Sequence, residues 1–234
     1  MNARAEITQR YIDADPYPWP YNGELRPDNT ALIIIDMQTD FCGPGGYVDH
    51  MGYDLSLVRA PIEPIKSVLS AMRAKGYTII HTREGHRPDL ADLPANKRWR
   101  SRRINAGIGD PGPCGRILVR GEPGWDIIPE LYPIAGEPII DKPGKGAFHQ
   151  TDLHQILQKH EIENLLVCGV TTEVCVNTTV REANDRGFRC IVLSDCCGSY
   201  FPEFHEAGLA MIKAQGGIFG WVSASQPVLK VLQA

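Results

Sequence analysis

Short apolar runs punctuate the chain, and segments with apolar residues spaced three and four apart lie between them. Ala31-Leu-Ile-Ile-Ile35 is the first run, continuous and β-branched, the pattern of a strand covered on both faces. Ile62, Ile65, Val68, Leu69 and Met72 fall on one face of a helix predicted over 61–75, with Gly76 as its C-cap. Thr78-Ile-Ile-His81 is a second buried strand. The alternation then repeats. A strand is predicted over 137–141, a helix over 151–159 with Thr151 as N-cap, and a strand over 164–170. A helix over 172–186 stops at Gly187, a strand covers 188–193, and a helix over 204–215 ends at Gly216-Gly217. Residues 219–222 form a last edge strand. Strand and helix alternating with short turns predict an α/β fold, a mostly parallel sheet with helices on both faces.

Two stretches break this rhythm. Residues 1–28 read as an irregular arm, because Pro16, Pro18, Pro20 and Pro27 forbid regular helix. Residues 29–234 then make one domain. Inside it, residues 84–123 form a long segment dense in Pro, Gly and Arg, the composition of a functional loop or lid. Its Lys97, Arg98, Arg100, Arg102 and Arg103 read as a solvated or subunit-contact surface.

Composition narrows the class. The chain has 234 residues, 43% hydrophobic and 22% charged, enough to bury a core without disulfide staples. Its net charge is 24 − 28 = −4, which offers no overall attraction to nucleic acid or an anionic membrane. Every apolar run is far shorter than the ~20 residues that span a bilayer. The polar, Pro-rich start lacks the apolar region of a secretory signal, so a cytoplasmic protein with reduced thiols is expected. Seven cysteines without a CxxC pair argue against a zinc ribbon, and most are expected to pack as small hydrophobes. The adjacent Cys196 and Cys197 suggest a redox pair at best weakly, since neighbouring cysteines rarely reach disulfide geometry.

In open parallel sheets ligands bind at the carboxyl ends of the strands, and three such ends carry reactive groups. Asp36 follows the first strand, Lys142 the strand over 137–141, and Cys175 opens the helix after the strand over 164–170. Singly, each has a structural reading: Asp36 as a turn former, Lys142 as a solvated lysine, Cys175 as a core thiol. Together they suggest a nucleophile. A helix N-terminus and a nearby ammonium lower a thiol pKa, and a carboxylate in reach can carry the proton.

At these residues the chain resembles the cysteine hydrolases of the isochorismatase-like superfamily, from about Leu32 to Val231. The blocks that carry the resemblance are Ile34-Ile-Asp36-Met-Gln-Thr-Asp-Phe41, Lys142-Pro-Gly-Lys-Gly-Ala-Phe148 and Gly169-Val-Thr-Thr-Glu-Val-Cys175-Val-Asn-Thr-Thr. The resemblance implies a three-layer αβα fold with a six-stranded, mostly parallel sheet. It also implies a dimer or tetramer and a catalytic triad of Asp36, Lys142 and Cys175. Family members often have a cis peptide before the nucleophile, here Val170-Thr171.

The arm, the segment HTREGHRPDLADLPANKRWRSRRI and GEPGWDIIPELYP narrow the likeness to biuret amidohydrolases. That implies hydrolysis of biuret to allophanate and ammonia, with Phe41, Lys145 and Gln215 lining the substrate pocket and backbone N–H groups of Thr171 and Cys175 facing an oxyanion. A primary amide such as Gln215 both donates and accepts, which suits the alternating groups of a ureide. Phe148-His149-Gln150 and the segment over 199–205 depart from the biuret pattern. Triuret, ureidoacrylate or an N-carbamoyl compound are therefore alternative substrates, and a non-catalytic oligomeric binding protein is an alternative of another class. Metal-dependent nicotinamidases of the superfamily carry Asp-x-His after the second strand. Here Glu84-Gly85-His86 matches only in part, so Glu84 and His86 read as loop or pocket residues, with no metal and no cofactor.

Overall fold

The apolar runs become strands in the computed structural model, which describes residues 9–233. β1 (Thr30–Ile35) is buried at every position, as a run covered by two layers must be. α1 (Ile62–Ala74) buries the predicted stripe of Ile62, Ile65, Val68, Leu69 and Met72. β2 (Thr78–Glu84) follows, then α2 (Ala95–Arg103), β3 (Ile139–Lys142) and α3 (Leu153–Lys159). β4 (Asn164–Val170), wholly buried, leads into a wide π-type turn over Thr172–Val176 that continues as α4 (Asn177–Asp185). β5 (Arg189–Gly198), α5 (Pro202–Gly217), β6 (Trp221–Ser223) and α6 (Ser225–Gln233) complete the chain.

The six strands lie in the order β3-β2-β1-β4-β5-β6 and all pair in parallel. Right-handed crossovers then determine the layers. The chain moves one way along the sheet through α1 and the other way through α3, α4 and α5, so these helices cover opposite faces. α6 packs against α1 and completes its layer. The result is the expected three-layer αβα sandwich around a six-stranded parallel sheet. Its topological switch point is the boundary between β1 and β4, where a crevice opens at the strands' carboxyl ends.

Two local features bring those strand ends together. The β4–β5 register shifts between Val167 and Gly169, and Gly169 has φ +112°. A side chain at Gly169 would run into the Ile35 backbone, so glycine allows β4 to approach the end of β1 closely. The Val170–Thr171 peptide bond is cis, as the resemblance implies.

The structure adds to the periodicity in three places. The segment over 84–123 contains α2, a helix the apolar pattern does not predict because it is almost wholly Lys, Arg and polar. α6 was also not predicted, though it buries Val228 and Leu232. Residues 1–8 of the expected arm lie outside the described residues. From residue 9 to 28 no helix forms, yet Ile12 and Trp19 are fully buried. Asp15 pairs with Val222, covering the free edge of β6. All seven cysteines are free, and Cys196 and Cys197 are buried in β5, where burial pushes both thiols far above their ordinary value. Among the described residues no helix is long and apolar enough to cross a membrane.

Candidate active site

Asp36 is the first residue beyond β1. It takes a left-handed backbone conformation (φ +51°), which aspartate tolerates better than most residues. Its N–H donates to the Thr82 carbonyl oxygen at 3.2 Å, and Thr82 Oγ1 donates to Oδ1 at 2.6 Å. The other oxygen, Oδ2, lies 2.7 Å from the Lys142 ammonium. Both residues are completely buried. Lys142 ends β3 and also donates to the carbonyl oxygens of Gly144 at 3.0 Å and Lys145 at 2.9 Å. Burial disfavours its charge, but Asp36, then Cys175 and Glu84, more than offset this and hold the ammonium above its ordinary pKa.

Glu84, the last residue of β2, occupies the centre of the cluster and is fully buried. Oε1 accepts from Lys97 and Lys145, each at 2.8 Å. Oε2 accepts from Lys145 at 2.9 Å and lies 3.9 Å from Lys142 Nζ. Burial alone would raise the Glu84 pKa, yet Lys145, Lys142 and Lys97 hold it well below the usual carboxylate range. Its main chain is clamped by Gln38, which accepts the Glu84 N–H at 2.7 Å and donates back to the Glu84 carbonyl at 3.0 Å.

Cys175 enters from the other side of the crevice, on the turn after β4. Its thiol donates to Glu84 Oε2 at 3.5 Å, and its carbonyl accepts from Thr179 Oγ1 at 2.7 Å. A helix start beside ammonium groups suggests a lowered thiol pKa, and here burial overrides that tendency. The thiol sits well above its ordinary value, with Lys142 pulling it down and Asp36 and Glu84 adding to the rise. It therefore rests protonated and needs a base to become a nucleophile.

The thiol faces a cavity of about 220 Å³. Phe41, Lys145 and Thr171, three residues expected in the pocket, line it together with Cys175. Glu84, Tyr47, Glu173, Val174, Tyr200 and Phe201 complete most of the wall. Gln215 is not among the lining residues. It is exposed, because α5 leaves helical geometry at Ala214 and Gln215 takes φ +53° in the kink. Lys97 is not the solvated lysine its basic neighbours suggest. It is buried, donating to Glu84 and, at 2.7 Å, to the Pro143 carbonyl. Its only sequence signal is a place in a long loop, which says nothing of a partner on β2. His86 is buried with Nδ1 3.2 Å from Asp92 and does not line the cavity.

Ligand atoms of Asp36, Glu84 and Cys175 lie within 4.8 Å of one another, a spacing open to a metal ion. Lys142 and Lys145 already contribute ammonium groups to those carboxylates, so the charge a cation would bring is present as protein.

A parallel sheet that gathers a thiol, a carboxylate and an ammonium at its switch point has the framework of an enzyme that uses a cysteine nucleophile. A model of the isochorismatase domain matches residues 30–226, most of the chain. The chain belongs to the isochorismatase family and is a hydrolase acting on amide C–N bonds. The ureidoacrylate amidohydrolase RutB of Azorhizobium caulinodans is 32% identical over 201 residues, covering 84% of this chain and 87% of that protein. RutB of Acinetobacter baylyi is 32% identical over 232 residues, covering 97% and 91%. Among solved structures, a cysteine hydrolase from Pseudomonas syringae pv. phaseolicola superposes with a TM-score of 0.76 at 26% identity, covering 97% of this chain and 99% of that one.

Proposed function

We propose that this amidohydrolase cleaves a terminal C–N bond of a small ureide through an acyl-enzyme on Cys175, and that biuret, yielding allophanate and ammonia, is its substrate. The observation that carries the reading is the buried Cys175 thiol on the wall of a small cavity, backed by the Asp36–Lys142 pair. The catalytic roles follow from how the two carboxylates are held. Glu84 is engaged by three lysines and is a poor base. Asp36 has one lysine and one hydroxyl and lies within 4.8 Å of the Cys175 thiol, and it is the proton acceptor in this proposal.

In the proposed sequence Cys175 Sγ attacks the terminal carbonyl carbon while its proton passes to Asp36. Backbone N–H groups of Thr171 and Cys175 face the oxyanion, a contribution of roughly 2.7–4 kcal/mol per donor in comparable sites. The tetrahedral adduct collapses, the C–N bond breaks, and the Asp36 proton leaves with nitrogen as ammonia. Water then attacks the thioester carbonyl, with Asp36 as base, and frees the acid and the thiol. Lys142 holds Asp36 in place throughout. Phe41, Lys145 and Thr171 would contact the substrate.

A second reading is favoured by the curated relatives, which are named as ureidoacrylate amidohydrolases. Tyr200 and Phe201 belong to a segment that departs from the biuret pattern, and both are on the cavity wall. The cavity nevertheless is smaller than the ~300–1,000 Å³ typical of drug-sized ligands, which favours a compact substrate. Ammonia release from biuret, triuret, ureidoacrylate and an N-carbamoyl amino acid, with products read by mass spectrometry, separates these. Biuret is expected to have the highest kcat/KM. Release from none of the four would overturn the ureide reading.

We also propose that the enzyme acts in the cytoplasm, where its free thiols stay reduced, as a homo-oligomer. Exposed Trp99, Phe201 and Phe204 support the assembly. Light scattering is expected to give the mass of a dimer or tetramer, and a monomer at micromolar concentration would refute it.

A further inference from the structure

One group on the cavity wall has no part in the chemistry above. Glu173 stands two residues before Cys175 on the same turn, and its Oε2 is buried without a hydrogen-bond partner among the described residues. A buried carboxylate oxygen left unpaired costs free energy, so its natural complement is a donor brought by a ligand. Among the described residues no cation pairs with it. Arg181 shares a neighbouring groove with Glu173 but donates to Asn177 at 2.6 Å and lies over the Phe219 ring at 3.9 Å. Tyr200, across the cavity, keeps its phenol proton through burial, with Glu173 among the groups that reinforce this. The Tyr200 hydroxyl itself donates to the Phe41 carbonyl at 2.8 Å.

The remaining charges of the wall point the same way. Among the described residues Lys145 is the one cationic side chain lining the cavity, and both Glu84 oxygens already engage it. Glu84 on the wall is already offset by Lys145, Lys97 and Lys142, and Glu173 is the wall carboxylate without a counter-ion among the described residues. We propose that Glu173 is the specificity-determining residue of this site, accepting hydrogen bonds from the terminal N–H groups of an uncharged ureide and repelling ureides that carry a carboxylate. The substrate half of this inference rests on the ureide reading above, whereas the charge filter is a property of the cavity alone.

Alkylation of Cys175 tests the filter without turnover. Iodoacetamide is neutral and iodoacetate anionic, and both form the same kind of S–CH2 bond with loss of iodide. Rates at Cys175 are read by peptide mass spectrometry, with glutathione as the free-thiol reference. The wild type should favour iodoacetamide over iodoacetate at least tenfold more than glutathione does. Glu173→Gln should lose most of that preference, and Glu173→Asp, which keeps the charge, should retain it. A wild-type preference equal to glutathione's, or one unchanged in Glu173→Gln, overturns the proposal.

Ammonia release provides the substrate arm. The ratio of kcat/KM for biuret to that for ureidoacrylate should fall at least tenfold in Glu173→Gln. If the alkylation preference moves but wild type turns over no ureide, the ureide reading and the substrate half fall while the filter stands. If ureides are hydrolysed and neither ratio moves, the ureide reading stands and Glu173 has no selective role.

Discussion

Cys175→Ser is expected to lose about 10⁴-fold or more in kcat for ammonia release, the scale seen when a hydrolase loses its nucleophile. A hydroxyl in the same place is far harder to deprotonate, and Asp36 can supply only so much driving force in a buried site. The fold should be little affected, because a serine can still donate toward Glu84 and only one atom changes on a cavity wall. Thermal melting within about 3 °C of wild type is the accompanying expectation, roughly 1 kcal/mol for a chain of this size. Retention of more than a few per cent of wild-type turnover would sink the nucleophile assignment. The resting thiol adds a pH signature. Burial holds its pKa well above the ordinary cysteine value, so the folded enzyme keeps Cys175 protonated at neutral pH. Its alkylation by iodoacetamide should still be accelerating at about pH 9, above the ordinary thiol value of ≈ 8.5. A rate that has levelled off by pH 7 would mean a preformed thiolate and no need for a base.

The largest stability loss is expected at Glu84. The buried cluster sets three ammonium groups, Lys97, Lys142 and Lys145, around two carboxylates, Asp36 and Glu84. Glu84→Ala leaves three ammonium groups facing one carboxylate and opens a void where two hydrogen-bonded oxygens stood. Removing one partner from a buried ionic network costs about 3–5 kcal/mol, because the charges left behind stay desolvated. At roughly 2–4 °C per kcal/mol, the melting temperature should fall by about 6–20 °C. Desolvation opposes the pair, so the figure describes the broken network and does not measure what the intact one contributes. Linkage gives a second readout. The lysines hold the folded Glu84 pKa below its ordinary value of 4.5, so its stabilisation is complete above that value. It is lost as pH falls through the depressed folded pKa. The gap between wild type and Glu84→Gln should therefore be constant from pH 6 to 8 and narrow under strong acid. A melting temperature for Glu84→Ala within 2 °C of wild type at pH 7 would refute the role of Glu84 as the centre of the network.

These two residues differ in how openly the chain announces them. Cys175, Asp36 and Lys142 each stand at the end of an apolar run, and parallel strands deliver all such ends to one edge of the sheet. Local pattern and the resemblance were enough to single them out. Glu84 also ends a strand, yet its sequence context, a partial metal motif, reads only as a loop or pocket residue and gives no sign of its lysine partners. Its importance comes from lysines 13 and 61 positions away in the chain. α2, which contributes one of them, has no apolar stripe to reveal it. Gln215 shows the converse, a pocket residue implied by the family resemblance alone that the kink at the end of α5 leaves exposed in this chain.

The alternation of buried strands and amphipathic helices was determined by the sequence alone, because burial of apolar side chains is written in their spacing. So was the odd thiol count, which had no disulfide reading and drew attention to one cysteine at a helix start. What only the tertiary structure decided was the ionic interior: which lysine reaches Glu84, which carboxylate stays free on the cavity wall, and that burial keeps the thiol protonated. Charge pairing and desolvation depend on distances between residues remote in the chain, and no periodicity records those distances.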